Sequence, residues 1–225
     1  MGCGSNETND IKNLDVNECI VKQGINFIIP GKIIDKLSES IIRIEYKNAF
    51  STGFFMKINI QEINHNFILT CAHSITKEDI NSKNIIPIYY GKKETEIEKI
   101  IELDNNKRFI KSFIDDDIDA TIIEILHEDD IPEDKYLYPD LNYTDGYIQY
   151  INKDFYIAGY PNVDVFKREK HFSAGKILGF KYINNNNNDF LHNCSTKEGS
   201  SGSPLINNNL QVVGIHYGCN KRKSS

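Results

Sequence analysis

Hydrophobic residues fall in short segments from residue 25 onward, and clusters of Asn, Asp, Gly and Lys separate these segments. The segments are rich in Ile, Phe and Tyr, and this composition and length are typical of strands in a sandwich or barrel. Long amphipathic helical windows are scarce, and residues 31–39 are the helix candidate. The predicted strands include residues 40–46, 53–60, 66–70, 120–125, 154–158, 175–180 and 210–215. The pattern predicts an all-β fold.

The polar stretches of the chain indicate how it is divided. Residues 1–24 are polar and are expected to form a flexible N-terminal segment. Residues 127–145 are acidic, contain two prolines and have no periodicity, which is typical of a connector. We therefore predict one lobe over residues 25–130 and a second over residues 131–225. The five-Asn run at 184–188 indicates the tip of a hairpin.

Composition and charge narrow the class of protein. The chain has 225 residues, of which 40% are hydrophobic, so it can bury a sizeable core. Its 26 basic and 32 acidic residues give a net charge of −6, which argues against a nucleic-acid binder that needs a basic face. No apolar run reaches the ~18 residues of a membrane span.

The cysteines and the N-terminal residues bear on the cellular compartment. The five cysteines match no zinc-site spacing, and the first ten residues lack the apolar core of a secretory signal. We expect reduced thiols, a cytoplasmic location, and no metal or cofactor. The sequence does not predict the oligomeric state.

The first residues carry a lipidation pattern. Gly2 followed by Cys3 is typical of N-myristoylation with an adjacent palmitoylation site, although Asn6 replaces the usual Ser or Thr. Two acyl chains hold a membrane stably, whereas one holds it only marginally. We favour dual acylation, and with it membrane association, over an unmodified N-terminus.

Three local patterns follow one another in the order His, Asp, Ser. A predicted strand ends at Leu69-Thr-Cys-Ala-His73, Asp119 opens another, and Gly199-Ser-Ser-Gly-Ser-Pro204 forms a tight loop before a third. A hydroxyl nucleophile needs a base that takes its proton and an acid that orients that base. Backbone N–H groups in a glycine-containing turn can stabilise the developing oxyanion.

These patterns resemble the chymotrypsin-like serine proteases, which usually have Thr-Ala-Ala-His and Gly-Asp/Asn-Ser-Gly-Gly/Ser-Pro. The resemblance extends from about residue 38 to residue 218. It implies two six-stranded antiparallel β-barrels with the active site between them, and hydrolysis of a protein or peptide through an acyl-enzyme. By this resemblance Ser201 is the nucleophile, His73 the general base and acid, and Asp119 the orienting acid. The N–H groups of Gly199 and Ser201 would form the oxyanion hole.

Several alternatives stay open beside this hypothesis. Asp117 is a second candidate for the acid that orients His73. We prefer Asp119, because the apolar run that would bury the acid begins directly after it. An α/β-hydrolase elbow would need glycine at position 203, which is Ser203, and Cys194 does not occupy the nucleophile position of the loop. The main rival is a protease-fold domain without activity that serves as a binding scaffold.

The residues around the serine loop bear on the subtype. Ser200 replaces the Asp of zymogen-type members, which places the chain nearer to the high-temperature-requirement type. Ser195, Thr196 and His216 are similar to the glutamyl endopeptidases, which implies a preference for Glu or Asp before the scissile bond. The alternative for His216 is a packing role only.

The C-terminal part of the second barrel departs from the family. Seven residues follow Gly218, whereas the family continues through one more strand and a helix. We expect the second barrel to be incomplete there, unless residues 20–29 cover the open edge.

Overall fold

The computed structural model describes residues 29–116, 118–142, 147–162, 169–183 and 187–218. Gly2, Cys3 and Asp117 lie outside this part of the chain, so acylation and membrane localisation stay predictions. Among the described residues, no helix is long and apolar enough to cross a membrane.

Strands dominate the described part of the chain. The α-helices of this part are α1 (Gly31–Ser40) and α2 (Lys77–Asn81), beside a few single-turn 3-10 helices. The strands are β1 (Ile41–Tyr46), β2 (Ala49–Ile60), β3 (Ile63–Thr70), β4 (Ile85–Tyr90), β5 (Ile97–Glu102), β6 (Ile110–Ser112), β7 (Thr121–Glu124), β8 (Tyr138–Pro139), β9 (Asp154–Gly159), β10 (His171–Ile183), β11 (Asn187–His192), β12 (Ser203–Ile206) and β13 (Gln211–His216).

The strands form two sheets, one after the other along the chain. The first has the order β5-β4-β1-β2-β3-β7-β6, and the second has the order β11-β10-β9-β12-β13-β8. Neighbouring strands are antiparallel except β8 and β13, which pair in parallel. The all-β, two-barrel prediction is confirmed, and the first sheet has seven strands instead of the six expected.

Helix α1 joins the two sheets. Ile33 and Leu37 lie one turn apart and are fully buried, so one face of the helix is apolar. They pack in one cluster with Phe54 of the first sheet and with Tyr156 and Ile206 of the second. The helix predicted over residues 31–39 is confirmed, and the shared cluster fixes one lobe against the other.

The edge of the second sheet differs in part from the expectation. Strand β8 pairs with Gln211 and Val212 of β13, so this part of β13 has a neighbour on both sides. The Asp140 carboxylate stabilises the pairing, because it accepts hydrogen bonds from the Tyr150 hydroxyl and the Asn207 amide. The connector therefore supplies backbone pairing to an edge that the sequence predicts to be open.

The Asn run lies where β10 meets β11. These strands pair until Ile183 stands opposite Asn187, which is the register of a hairpin. Residues 184–186, at the predicted tip, lie outside the described residues.

Candidate active site

Strand pairing brings His73 and Asp119 together. Thr70 at the end of β3 stands opposite Thr121 at the start of β7. Because the strands are antiparallel, the residues that follow Thr70 lie beside those that precede Thr121. The Thr121 hydroxyl donates to the carbonyl of Ile75 at 3.0 Å and holds the turn that carries His73.

Two hydrogen bonds join these residues. The His73 Nδ1 and the Asp119 Oδ2 are 2.6 Å apart, and the His73 backbone N–H donates to Oδ1 at 3.0 Å. The hydrogen bond to Asp119 raises the pKa of His73 above its ordinary value. Burial would raise the pKa of Asp119, but the hydrogen bonds from His73 outweigh burial and the pKa is lowered. The carboxylate is therefore ionised at neutral pH and holds the imidazole with Nδ1 protonated.

The serine loop needs two glycines. Gly202 has a φ of +90°, and a Cβ there would lie 1.8 Å from the carbonyl oxygen of Thr52. Gly199 has a φ of +88°, and a Cβ there would lie 2.5 Å from the carbonyl oxygen of Tyr160. Both the backbone conformation and the close approach exclude a side chain at these positions.

The carbonyl of His216 places the serine loop beside the histidine turn. Gly202, the residue after Ser201, donates its N–H to this oxygen at 2.7 Å. Cys71, two residues before His73, donates its thiol to the same oxygen at 3.4 Å. The two candidate catalytic segments therefore lie on either side of the end of β13.

The Ser201 hydroxyl has another partner in this structure. It donates to the carbonyl of Tyr217 at 3.4 Å, which is long for an O–H···O hydrogen bond. Among the described residues, no hydrogen bond joins Ser201 to His73. In the same part of the chain, the backbone N–H groups of Gly199 and Ser201 donate to no protein acceptor, so both can bind a ligand oxygen.

Thr52 is a positioning residue that the sequence analysis missed. Its hydroxyl donates to the carbonyl of Gly199 at 2.8 Å and accepts from the N–H of Tyr160 at 2.9 Å. Its own N–H donates to the carbonyl of Ser201 at 2.9 Å. A buried threonine of the first sheet thus holds the serine loop of the second lobe, a role that local sequence does not reveal.

We expect Thr52→Val to lower the free energy of unfolding by about 2–4 kcal/mol, because it leaves two buried backbone groups without partners. Denaturant titration measures the change, and Thr95→Val, at an exposed position, is the matched control. A loss no greater than that of the control would contradict the role of Thr52.

His216 contacts a second histidine that the sequence analysis also missed. The His192 Nε2 and the His216 Nδ1 are 3.1 Å apart, and only 6% of His216 is exposed. Burial, followed by the neighbouring His192, lowers the pKa of His216 to about 4, and burial lowers that of His192. Both imidazoles are therefore neutral at pH 7 and offer hydrogen bonds instead of charge.

The two other predicted substrate-binding residues lie between β11 and the serine loop. The N–H of Ser195 donates to the hydroxyl of Ser173 on β10 at 2.7 Å, and Ser195 is exposed. Thr196 follows it and is half-buried. Their role in substrate binding stays a prediction.

Comparison with known families identifies the domain. Residues 51–215 match the model of the trypsin-like peptidase domain, and this segment includes His73, Asp119 and Ser201. The chain belongs to the trypsin-like peptidase family. The recognition from the motifs is thereby confirmed, whereas the glutamyl and high-temperature-requirement subtypes stay predictions.

Two solved structures are similar to this trypsin-like peptidase in fold. A crystal structure of the Rv3671c protease in an inactive form is 19% identical with a TM-score of 0.53, over 83% of this chain and 81% of that chain. A serine-to-alanine mutant of Rv3671c from M. tuberculosis H37Rv, also an inactive form, is 18% identical with a TM-score of 0.51. That match covers 83% of this chain and 78% of the other.

Proposed function

We propose that this trypsin-like peptidase is a serine endopeptidase with Ser201 as nucleophile, His73 as general base and acid, and Asp119 as the acid that orients His73. The observation that carries the proposal is the 2.6 Å hydrogen bond between Asp119 and His73, on a turn that lies beside the serine loop. Because this bond keeps the proton on Nδ1, the lone pair on Nε2 of the neutral imidazole can accept a proton.

The reaction follows from these groups. Ser201 Oγ attacks the peptide carbonyl and passes its proton to His73, which then protonates the leaving amine. The carbonyl oxygen gains negative charge and accepts hydrogen bonds from the N–H groups of Gly199 and Ser201. Water then hydrolyses the acyl-enzyme by the same proton transfers in reverse.

The hydroxyl must change its partner before it attacks. Its 3.4 Å contact with the carbonyl of Tyr217 is weak, so little free energy is lost when Oγ turns toward His73. Catalytic hydrogen bonds are often long or badly aligned without substrate and shorten in the substrate complex.

Trapping of the covalent intermediate tests this proposal. We expect an activated ester to acylate the full chain once, and intact mass and peptide mapping to place the acyl group on Ser201. Acylation of Cys194 or of several lysines, with none on Ser201, would overturn the assignment of the nucleophile.

We further propose that His216, with Ser195 and Thr196, favours Glu or Asp before the scissile bond. The neutral imidazole of His216 is buried, and its one ring hydrogen bond within the described part of the chain is to the imidazole of His192. A substrate carboxylate would accept a hydrogen bond from such a ring and would favour its protonation, which makes the interaction charge-assisted. The His192 ring, whose Nε2 is 3.1 Å from Nδ1 of His216, would belong to the same chain of hydrogen bonds.

We expect kcat/KM for a Glu peptide to exceed that for its Gln analogue by roughly 10- to 100-fold, since a charge-assisted hydrogen bond contributes about 1.5–3 kcal/mol. His216→Gln should remove this ratio, whereas His127→Gln, at an exposed position on the connector, should leave it unchanged. Equal rates for the two peptides in the wild-type protein would contradict the preference.

A further inference from the structure

The side chain of His73 lies close to two other side chains that can bind a metal ion. A ligand atom of Cys71, one of His73 and one of Asp119 all lie within 4.8 Å of one another. The cysteine stands where the Thr-Ala-Ala-His pattern has alanine. The sequence alone predicts no metal site here, because these residues come from the end of β3 and from a segment 46 residues further along the chain.

The donor set suits one ion in particular. Zinc binds thiolate sulfur, imidazole nitrogen and carboxylate oxygen together, whereas magnesium and calcium prefer oxygen alone. One thiolate and one carboxylate carry two negative charges, which balance the charge of Zn²⁺ beside the buried sulfur of Cys71. The resulting neutral cluster avoids the cost of an uncompensated buried charge.

The geometry needs only small movements. Zinc ligand distances of about 2.0–2.3 Å place tetrahedral donor atoms about 3.3–3.6 Å apart. His73 Nδ1 and Asp119 Oδ2, now 2.6 Å apart, would separate by less than about 1 Å. The side chains of His73 and Asp119 are 49% and 21% exposed, so an ion can enter from solvent although Cys71 is fully buried.

We propose that Cys71, His73 and Asp119 bind a Zn²⁺ ion, and that this ion inhibits the peptidase. The inhibitory half of the proposal rests on the proposed function of His73. When the ion binds, a Zn–S bond replaces the S–H bond of Cys71 and the thiol proton passes to solvent. A Zn–N bond replaces the Nδ1–H bond of His73, so that proton also passes to solvent while Nε2 takes one up, and the ring stays neutral. No electron is transferred, and a water molecule completes the fourth position.

Inhibition follows from the state of the imidazole. A neutral ring with zinc on one nitrogen and a proton on the other has no lone pair left for the Ser201 proton. The ion also takes the Asp119 carboxylate that orients the ring. The peptidase is therefore inactive while zinc is bound and recovers when a chelator removes it.

Cobalt spectroscopy and zinc titration test the two halves of this proposal separately. We expect Co²⁺ added to the full chain to give the near-ultraviolet charge-transfer band of a thiolate–cobalt bond. Zn²⁺ should suppress labelling of Ser201 by a fluorophosphonate, and EDTA should restore it. Cys71→Ala should lose the band. The zinc concentration that halves the labelling of Ser201 should be roughly 100-fold higher in this variant than in the wild type. Even residues that only hydrogen-bond to metal ligands contribute about 10- to 100-fold in metal affinity.

Cys194→Ser is the matched control, since Cys194 is the other buried free thiol in the described part of the chain. It should keep both the band and the zinc sensitivity of the wild type. Absence of the thiolate band in the wild type, or its survival in Cys71→Ala, would overturn the site. A band without suppression of labelling would overturn the inhibition. Failure of the metal-free wild type to label would contradict the proposed function, and the cobalt band would still decide whether the metal site exists.

Discussion

Replacement of Ser201 by alanine is expected to lower kcat for peptide hydrolysis by about 10⁶-fold, the effect known for the nucleophile of subtilisin. The variant loses one oxygen whose contact with the Tyr217 carbonyl is weak, so the free energy of unfolding should change by less than about 0.5 kcal/mol. The variant keeps the backbone N–H that the proposed mechanism assigns to the oxyanion hole, and substrate binding should therefore persist. Steady-state hydrolysis of a peptide and denaturant titration measure the two quantities.

Ser200→Ala is the matched control for this substitution. Ser200 is buried next to the nucleophile, and its hydroxyl accepts one 3.3 Å hydrogen bond from the N–H of Lys197. We expect this control to retain activity within about tenfold, because that hydrogen bond contributes only about 1 kcal/mol. A Ser201→Ala protein that hydrolyses peptides at the rate of the control would refute the nucleophile.

Asp119→Asn should have the second largest effect, a loss of about 10⁴-fold in kcat, because an amide at this position favours the wrong imidazole tautomer. The substitution should also move the pH profile. The hydrogen bond to Asp119 raises the pKa of His73, and only the neutral imidazole accepts the proton of Ser201. Wild-type kcat/KM should therefore fall as pH decreases through a value above about 6.5, and in the variant this fall should occur at lower pH.

Asp115→Asn controls for the loss of one negative charge nearby. Asp115 is exposed and pairs with Lys77 on the surface, so its removal should leave both the rate and the pH profile unchanged. If Asp119→Asn retained wild-type activity, Asp119 would not be the orienting acid, and Asp117→Asn would be the variant to compare.

The strands that the sequence predicts correctly are short segments rich in β-branched and aromatic residues. Residues 40–46, 66–70 and 120–125 correspond to β1, β3 and β7 within a few residues. Strand β4 was missed because Pro87 interrupts it. The proline is tolerated there because β1 pairs only with residues 88–90, so no hydrogen bond to β1 requires its N–H.

The candidate site shows the same division between local and long-range information. His73, Asp119 and Ser201 each lie in a short motif, and local sequence was enough to single them out. Three further residues contact segments far away in sequence. Thr52 bonds to the carbonyl of Gly199, and His192 contacts the ring of His216. Cys71 lies in the cluster with Asp119. Only the pairing of strands shows these contacts, because no local spacing encodes them.

Labelling of the purified, metal-free chain with a fluorophosphonate, with Ser201→Ala beside it, tests directly whether Ser201 is an activated nucleophile. The probe reacts with a serine whose base and oxyanion donors are already in place, so it reports the whole constellation at once. We expect one label per chain in the wild type and none in Ser201→Ala, with the same melting temperature for both. A folded wild-type protein that takes no label would rule out an assembled serine nucleophile and would favour a binding scaffold that has the peptidase fold without its activity.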